Sequence, residues 1–456
     1  MKITIENFGP IHKFEIDLSK NISLIYGKNN IGKSYAISVV YMLLKSFPQM
    51  TKGSDLKSAI QKYNSNIKNL RTDIIPGSIK SDREELLSRV NSVLEYLLND
   101  WIPEKFKLYL KSSYGDLKNV KNSMSDSPGQ IIVEMNFLRF RFALLENLDV
   151  GGKIGVSYIK KEYFASKKYS RVNIESICYT ILKDFFRNIS LYTTSFYYIP
   201  AVRSGYYLGL GNLGSIISEI NQYQGMIGQP SFTLPNTTVP VSDFYSQISN
   251  KSAFNFADEY NYMGVVQKIE KNILDGTVQI DTQTGRILYF SNKLKRTFDL
   301  SQVSSMVSEL SIITAYFKYI IRDHVSLDNF DGEKSLSVGV FPTLFVEEPE
   351  SHLHPEAQVK LMEYFVGLAN LGLKIIMTTH SDYMFNKLTN LLMQGEIKSN
   401  DVGSYLLEST ETGSVSDAEK MAALQDGIND YNFIETTELL YNERIVAEEK
   451  HGSQDN

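Results

Sequence analysis

The eight residues Gly27-Lys28-Asn29-Asn30-Ile31-Gly32-Lys33-Ser34 match the phosphate-binding loop pattern G-x-x-x-x-G-K-[ST] in full, and no other stretch constrains the fold as tightly. Such a loop needs a strand before it and a helix after it. Asn21 to Tyr26 reads as a short apolar strand, and Tyr35 to Leu44, apolar all round, reads as a buried helix. Consecutive backbone N–H groups at a helix N-terminus make a concave anion site, and a side chain at Gly27 or Gly32 would obstruct the turn or the approaching phosphate. Lys33 is then expected to reach the β- and γ-phosphates and the Ser34 hydroxyl to ligate Mg²⁺. Asn29, Asn30, Ile31 and Tyr35 complete the expected nucleotide-binding set.

Far downstream, Thr343-Leu-Phe-Val-Glu347-Glu348 is an apolar strand that ends in two acids. A nucleotide-hydrolysing site needs such a pair, one carboxylate for the Mg²⁺ shell and one to orient and deprotonate the attacking water. Glu347 is read as the metal-side acid and Glu348 as the base. A third apolar run, Leu373 to Thr379, ends on His380. The three segments together resemble the ABC-type ATPases of the RecF, SMC and OLD group, and Lys2 to Asp17, two alternating strands around Gly9-Pro10, fits the same resemblance.

That resemblance implies an α/β fold, a P-loop NTPase of ABC-ATPase type with an inserted, mainly helical arm lobe. It implies an ATPase using ATP and Mg²⁺, with His380 as γ-phosphate sensor and Ser351, His352 and His354 in a loop crossing to a second subunit. The family's signature loop falls at Ser304-Ser305-Met306, where the two serines would meet the γ-phosphate held by the opposite subunit. Met306 departs from the usual glycine, which leaves the register open, and a Ser-capped buried helix explains the same residues. His352 and His354 also have the donor types for Zn²⁺, Mn²⁺ or Fe beside Glu348 and Glu350. A trans loop needs fewer assumptions, because no further His or Cys lies nearby in sequence.

At 456 residues the chain exceeds one typical core. The expected division is 1–50 for the first part of the ATPase core, 51–190 for the arm, 191–395 for the rest of the core, and 396–456 for a C-terminal α/β extension. In the arm, Ser81 to Asn99 carries a helical apolar stripe without sustained heptads. Lys153 to Arg171 mixes six cations with aromatics, which fits either a nucleic-acid surface or a solvated face over a core. Arg203, after the strand-like Phe196 to Ile199, suits a phosphate or arm contact or a salt bridge. Gly276 to Ser291 reads as a hairpin around Thr284-Gly285, followed by a long apolar helix to about Ile321. Beyond His380 come a helix at Tyr383 to Met393, a strand at Ser404 to Glu408, and helices around Ala418 to Gln425 and Asn432 to Glu449.

The net charge of −5 gives no global pull towards nucleic acid, and the single cysteine, Cys178, excludes an internal disulfide and fits a reducing cytosol. No apolar run is long enough to span a membrane, so a cytoplasmic location is expected. No nuclease or Toprim constellation follows His380. The chain therefore resembles stand-alone OLD-like ATPases of bacterial anti-phage systems such as Septu, PARIS and the retron-associated ATPases. This implies a homodimer or higher homo-oligomer that regulates a separate effector such as a nuclease. A RecF- or SMC-like DNA-repair ATPase is the alternative.

Overall fold

A computed structural model of the chain describes residues 1–47, 92–93, 95–135, 138–144, 150–155, 195–209, 237–249, 262–281, 284–321, 342–416, 423–424, 426–428 and 434–452. The N-terminal elements are β1 (Lys2–Phe8), β2 (Ile11–Asp17), β3 (Ile22–Tyr26) and α1 (Lys33–Ser46). Then come α2 (Ile102–Tyr114), β4 (Gln130–Met135), β5 (Leu138–Leu144), β6 (Val150–Gly155), β7 (Phe196–Ile199), α3 (Val239–Ile248) and α4 (Met263–Ile269). The second half holds β8 (Gly276–Ile280), β9 (Ile287–Ser291), β10 (Arg296–Asp299), α5 (Ser305–Ala315), β11 (Thr343–Glu347) and α6 (Pro355–Asn370). It closes with β12 (Lys374–Thr378), α7 (Asp382–Met393), β13 (Val402–Thr410), β14 (Gly413–Ser416) and α8 (Ile434–Gly452).

An 11-stranded sheet runs in the order β6-β5-β4-β1-β2-β14-β13-β3-β12-β11-β7. Its functional half is parallel, with β3 flanked by β13 and β12, and β11 flanked by β12 and β7. These strands are apolar on both faces. Ile22, Leu24, Tyr26, Leu344, Val346, Ile375 and Met377 enter the core on one side, together with α5, α6 and α7. Ile25, Phe345, Ile376 and Tyr198 face the other side, where α1 and α2 pack. Helices on both faces explain why these strands read as continuous apolar runs rather than alternating ones. They also explain α1, whose Ala36, Ile37, Val39, Val40, Met42 and Leu43 are all buried, because α2 covers its outer side.

At the other end of the sheet, β6, β5 and β4 come from the segment expected as the arm, most of which lies outside the described residues. Residues Ile102–Tyr114 are helical, but β4, β5 and β6 form an antiparallel set whose first strand pairs with β1. The physical reason is that β1 would otherwise expose an unpaired edge. The period-2 alternation in Leu138-Arg-Phe-Arg-Phe-Ala-Leu is the signal for these strands. Most of the Ser81 to Asn99 stripe and of the basic segment 153–171 lies outside the described residues. Within that segment, Lys153 is on β6, paired with Arg141 of β5.

The hairpin at Gly276 to Ser291 is present, and β10 adds a third strand to it. The helix expected to run from there starts at Ser305, after a 3-10 turn at Leu300–Gln302 capped by Asp299, and continues as a π turn at Tyr316–Ile320. The segment after residue 396 does more than append: β13 inserts beside β3 and pairs with β14, which in turn pairs with β2. Most of the helix expected around Ala418 to Gln425 lies outside the described residues; Leu424, within them, forms a β-bridge with Gly427. Among the described residues no helix is long and apolar enough to cross a membrane.

Candidate active site

The phosphate loop follows β3, His380 follows β12, and Glu347 and Glu348 end β11. Since β12 lies between β3 and β11, the three segments emerge side by side at the carboxyl edge of the parallel strands, where open α/β sheets bind ligands. The loop itself is shaped by two glycines with positive φ, Gly27 at 133° and Gly32 at 88°. A Cβ on Gly27 would lie 2.4 Å from the Leu407 carbonyl of β13, and one on Gly32 would lie 2.7 Å from Pro10 Cγ. The glycines thus answer to close packing by the C-terminal strand and the β1–β2 turn, as well as to the phosphate.

Lys33 is buried, and its ammonium donates to the carbonyls of Gly27 at 2.9 Å and Lys28 at 2.7 Å. It therefore lies curled inside its own loop. Lys28, Asn29, Asn30 and Ser34 are exposed, whereas the Ile31 side chain is buried in the core and leaves only its backbone to the loop. The Tyr35 ring packs over Gly9 and beside Tyr114 of α2, with centroids 5.0 Å apart and its hydroxyl buried. Any part for Tyr35 in nucleotide binding thus falls to its backbone.

Glu347 is held among hydroxyls. Tyr198 donates to its Oε1, and Ser34 makes a side-chain hydrogen bond to it. Burial pushes its pKa up, and these two bonds oppose the shift. A carboxylate joined to the loop serine is a donor set of hard oxygens, which suits Mg²⁺.

Glu348 sits just outside the strand at φ 41°, in the left-handed region that a side chain rarely adopts. Its N–H donates to the Thr378 carbonyl at 3.0 Å, and its Oε1 lies 3.5 Å from His380 Nε2. The hydrogen bond from His380 is the main cause that lowers the Glu348 pKa, with burial opposing. The carboxylate is therefore ionised at neutral pH and able to accept a proton. Glu350, wholly inside, accepts from the His380 N–H at 2.6 Å and from the Thr379 hydroxyl at 2.7 Å, which pins the segment carrying the histidine.

Arg203 is fully buried and does not face the site. Its Nε lies 2.9 Å from Glu309 Oε2 of α5, and its terminal nitrogens donate to the carbonyls of Glu347, Glu348 and Pro349 at 3.3 Å each. Of the expected roles, the salt bridge is the one the geometry contains. Ser304 caps α5, its hydroxyl accepting from Val307 N–H, and both Ser304 and Ser305 are exposed. His352 and His354 are exposed around the buried Leu353, and the His354 ring caps α6 by accepting from Glu356 N–H. Among the described residues no group of three His, Cys, Asp or Glu side chains is placed to hold a metal ion.

A family model described as the AAA ATPase domain matches residues 1–385, from the first strand past His380. The chain belongs to the AAA ATPase domain family. Its fold is α/β, with the phosphate loop of a P-loop NTPase between β3 and α1. No curated protein matches it. Among solved structures it is similar to an SMC head domain from Thermotoga maritima, with 10% identity, 91% of this chain and 97% of that chain covered, and a TM-score of 0.34. An Smc head bound to the C-winged helix domain of ScpA matches at 10% identity, with 91% and 96% covered and a TM-score of 0.38. An Smc head with an extended coiled coil, bound to the C-terminal domain of ScpA derived from Pyrococcus furiosus, matches at 10% identity, with 97% and 98% covered and a TM-score of 0.40.

In this AAA ATPase domain, Lys33 carries a testable consequence. Burial lowers its pKa to about 8, with Glu348 and Glu350 opposing. Phosphate oxygens favour the charged form, so nucleotide binding near pH 8.5 should be accompanied by proton uptake, which fades towards pH 7 where Lys33 is already charged. Calorimetry in buffers of different ionisation enthalpy measures this directly. A binding enthalpy independent of buffer at pH 8.5 would contradict the depressed pKa.

Sequence reasoning missed Tyr198 as part of the site and weighed Glu350 only beside the two histidines as a metal donor. Tyr198 was legible only as one of several strand aromatics. Strand pairing and the fold of the turn give these two residues their contacts.

Proposed function

We propose that the chain is a Mg²⁺-dependent ATPase, converting ATP and water to ADP and phosphate. The observation that carries this reading is the convergence of Lys33, Ser34, Glu347, Glu348 and His380 at one sheet edge, with Glu348 ionised and bonded to His380. Ser34 and Glu347 would hold the Mg²⁺, which neutralises charge between the β- and γ-phosphates when bound. Backbone N–H groups from Asn29 to Tyr35 would cradle the phosphates, and Lys33 would turn from the Gly27 and Lys28 carbonyls to the β- and γ-oxygens. Glu348 would take the proton of the attacking water, while His380 steadies that carboxylate and senses the γ-phosphate.

Two exposed elements support a dimeric working form. Ser304 and Ser305 at the start of α5, and His352 and His354 before α6, are exposed and suit contacts to a second copy, with the half-buried Ser351 beside them. ATP that binds the closed pair better than the open one shifts the equilibrium, and a difference of about 10⁴-fold gives a nearly complete switch. The OLD-like resemblance adds that the output lies in a separate effector such as a nuclease, with anti-phage defence as the setting.

Lys33→Ala tests the site. It should lose ATP affinity and all turnover, because it removes the cation facing the phosphates. ATP binding equal to that of the parent in calorimetry would refute the assignment.

A further inference from the structure

Tyr198 of β7 is in register with Phe345 of β11, and the two strands are parallel neighbours. Cross-strand partners share a face, and a residue two positions along a strand returns to it, so Tyr198, Phe345 and Glu347 all lie on the side that α1 covers. The Tyr198 ring stacks on Phe345 at 6.3 Å with 15° between planes, and the Tyr41 ring of α1 closes over it at 5.0 Å. Packed this way, the fully buried phenol reaches Glu347 and donates to Oε1. Its oxygen also pairs with Ser38 Oγ at 3.0 Å. A phenol has one proton, which goes to the carboxylate, so the Ser38 hydroxyl donates to Tyr198 and a directed chain runs from Ser38 through Tyr198 to Glu347.

We propose that Tyr198, backed by Ser38, is the positioning residue of the metal-side acid. The inference rests on the reading of Glu347 as that acid. A glutamate has one more rotatable bond than an aspartate and needs an outside partner to stay oriented. Tyr198 supplies one on the core side, while Ser34 contacts the carboxylate from the loop. Partners behind a ligand set its orientation, and their removal costs about 10- to 100-fold in metal affinity or activity.

The test uses the full chain with Mn²⁺ and ADP, following bound Mn²⁺ by electron paramagnetic resonance. Tyr198→Phe keeps the ring against Phe345 and Tyr41 and removes only the hydroxyl. It should weaken Mn²⁺ binding by about 10- to 100-fold and raise the Mg²⁺ concentration for half-maximal turnover in the same proportion. The KM for ATP at saturating Mg²⁺ should stay at the parent value, a split that a general packing defect would not produce. Ser38→Ala should shift Mn²⁺ affinity in the same direction by less, and it carries the test if Tyr198→Phe fails to fold. Parent-like Mn²⁺ binding by these variants, with binding lost in Glu347→Gln, would overturn the role of Tyr198. Parent-like binding in Glu347→Gln itself would instead overturn the reading of Glu347.

Discussion

Glu348→Gln should bind ATP with the affinity of the parent and turn it over about 10² to 10⁴ times more slowly, the usual cost of losing one placed general base. The amide keeps the shape of the side chain but cannot take a proton from water. The backbone features that aim Glu348 survive the change: φ at 41° and the N–H bond to Thr378. The loss should therefore appear in kcat and not in ATP affinity, and the trapped ATP should enrich the proposed dimer in size-exclusion chromatography. Single-turnover kinetics with radiolabelled ATP decides the matter. Parent-like hydrolysis would remove Glu348 from the reaction and turn attention to Glu347 or Glu350.

Arg203→Ala should be among the most destabilising single changes in the chain, costing about 3–5 kcal/mol, the range for removing one partner of a buried ion pair. The Arg203 side chain is fully inside and that of Glu309 is 3% exposed, so neither charge has water to fall back on. The substitution also removes a donor from three carbonyls at and just beyond the end of β11, those of Glu347, Glu348 and Pro349. Turnover should fall along with stability, since those carbonyls belong to the turn that carries Glu348, the proposed base. Replacing both partners, Arg203→Met with Glu309→Leu, should restore much of the stability, because an apolar pair avoids the desolvation cost. Thermal unfolding of the two variants checks both halves. A single Arg203→Ala variant as stable as the parent would mean that the pair contributes nothing net.

The sequence carried the outline of the site because its parts are local. Gly27 to Ser34, the acids after Phe345-Val346, and the histidine after Leu373 to Thr379 each sit at the end of an apolar run, and each run is a strand of the parallel sheet. The hairpin around Thr284-Gly285 and the helix before Gln394 were legible for the same reason: turn chemistry and apolar period lie within a few residues. Less was legible in the insertion. Apolar residues at helical spacing suggested helix there, and among its described residues β4, β5 and β6 complete the edge of β1; the need for that pairing is set by a strand more than a hundred positions earlier.

By itself, then, the amino-acid sequence determined that this chain builds a phosphate loop, a pair of acids and a histidine at the ends of apolar strands, because backbone donors, carboxylates and glycines act through short-range spacing. Only the tertiary structure decided which strands are neighbours, and several features of the site follow from that adjacency. With β12 between β3 and β11, His380 meets Glu348; with β7 beside β11, the Tyr198 hydroxyl reaches Glu347; with β13 against the loop, its Leu407 carbonyl leaves Gly27 no room for a side chain. Arg203 shows the difference most clearly. A lone arginine after a strand reads equally well as a phosphate ligand or a salt bridge, and its burial between Glu309 and the β11 carbonyls, a matter of desolvation and pairing, selects the second.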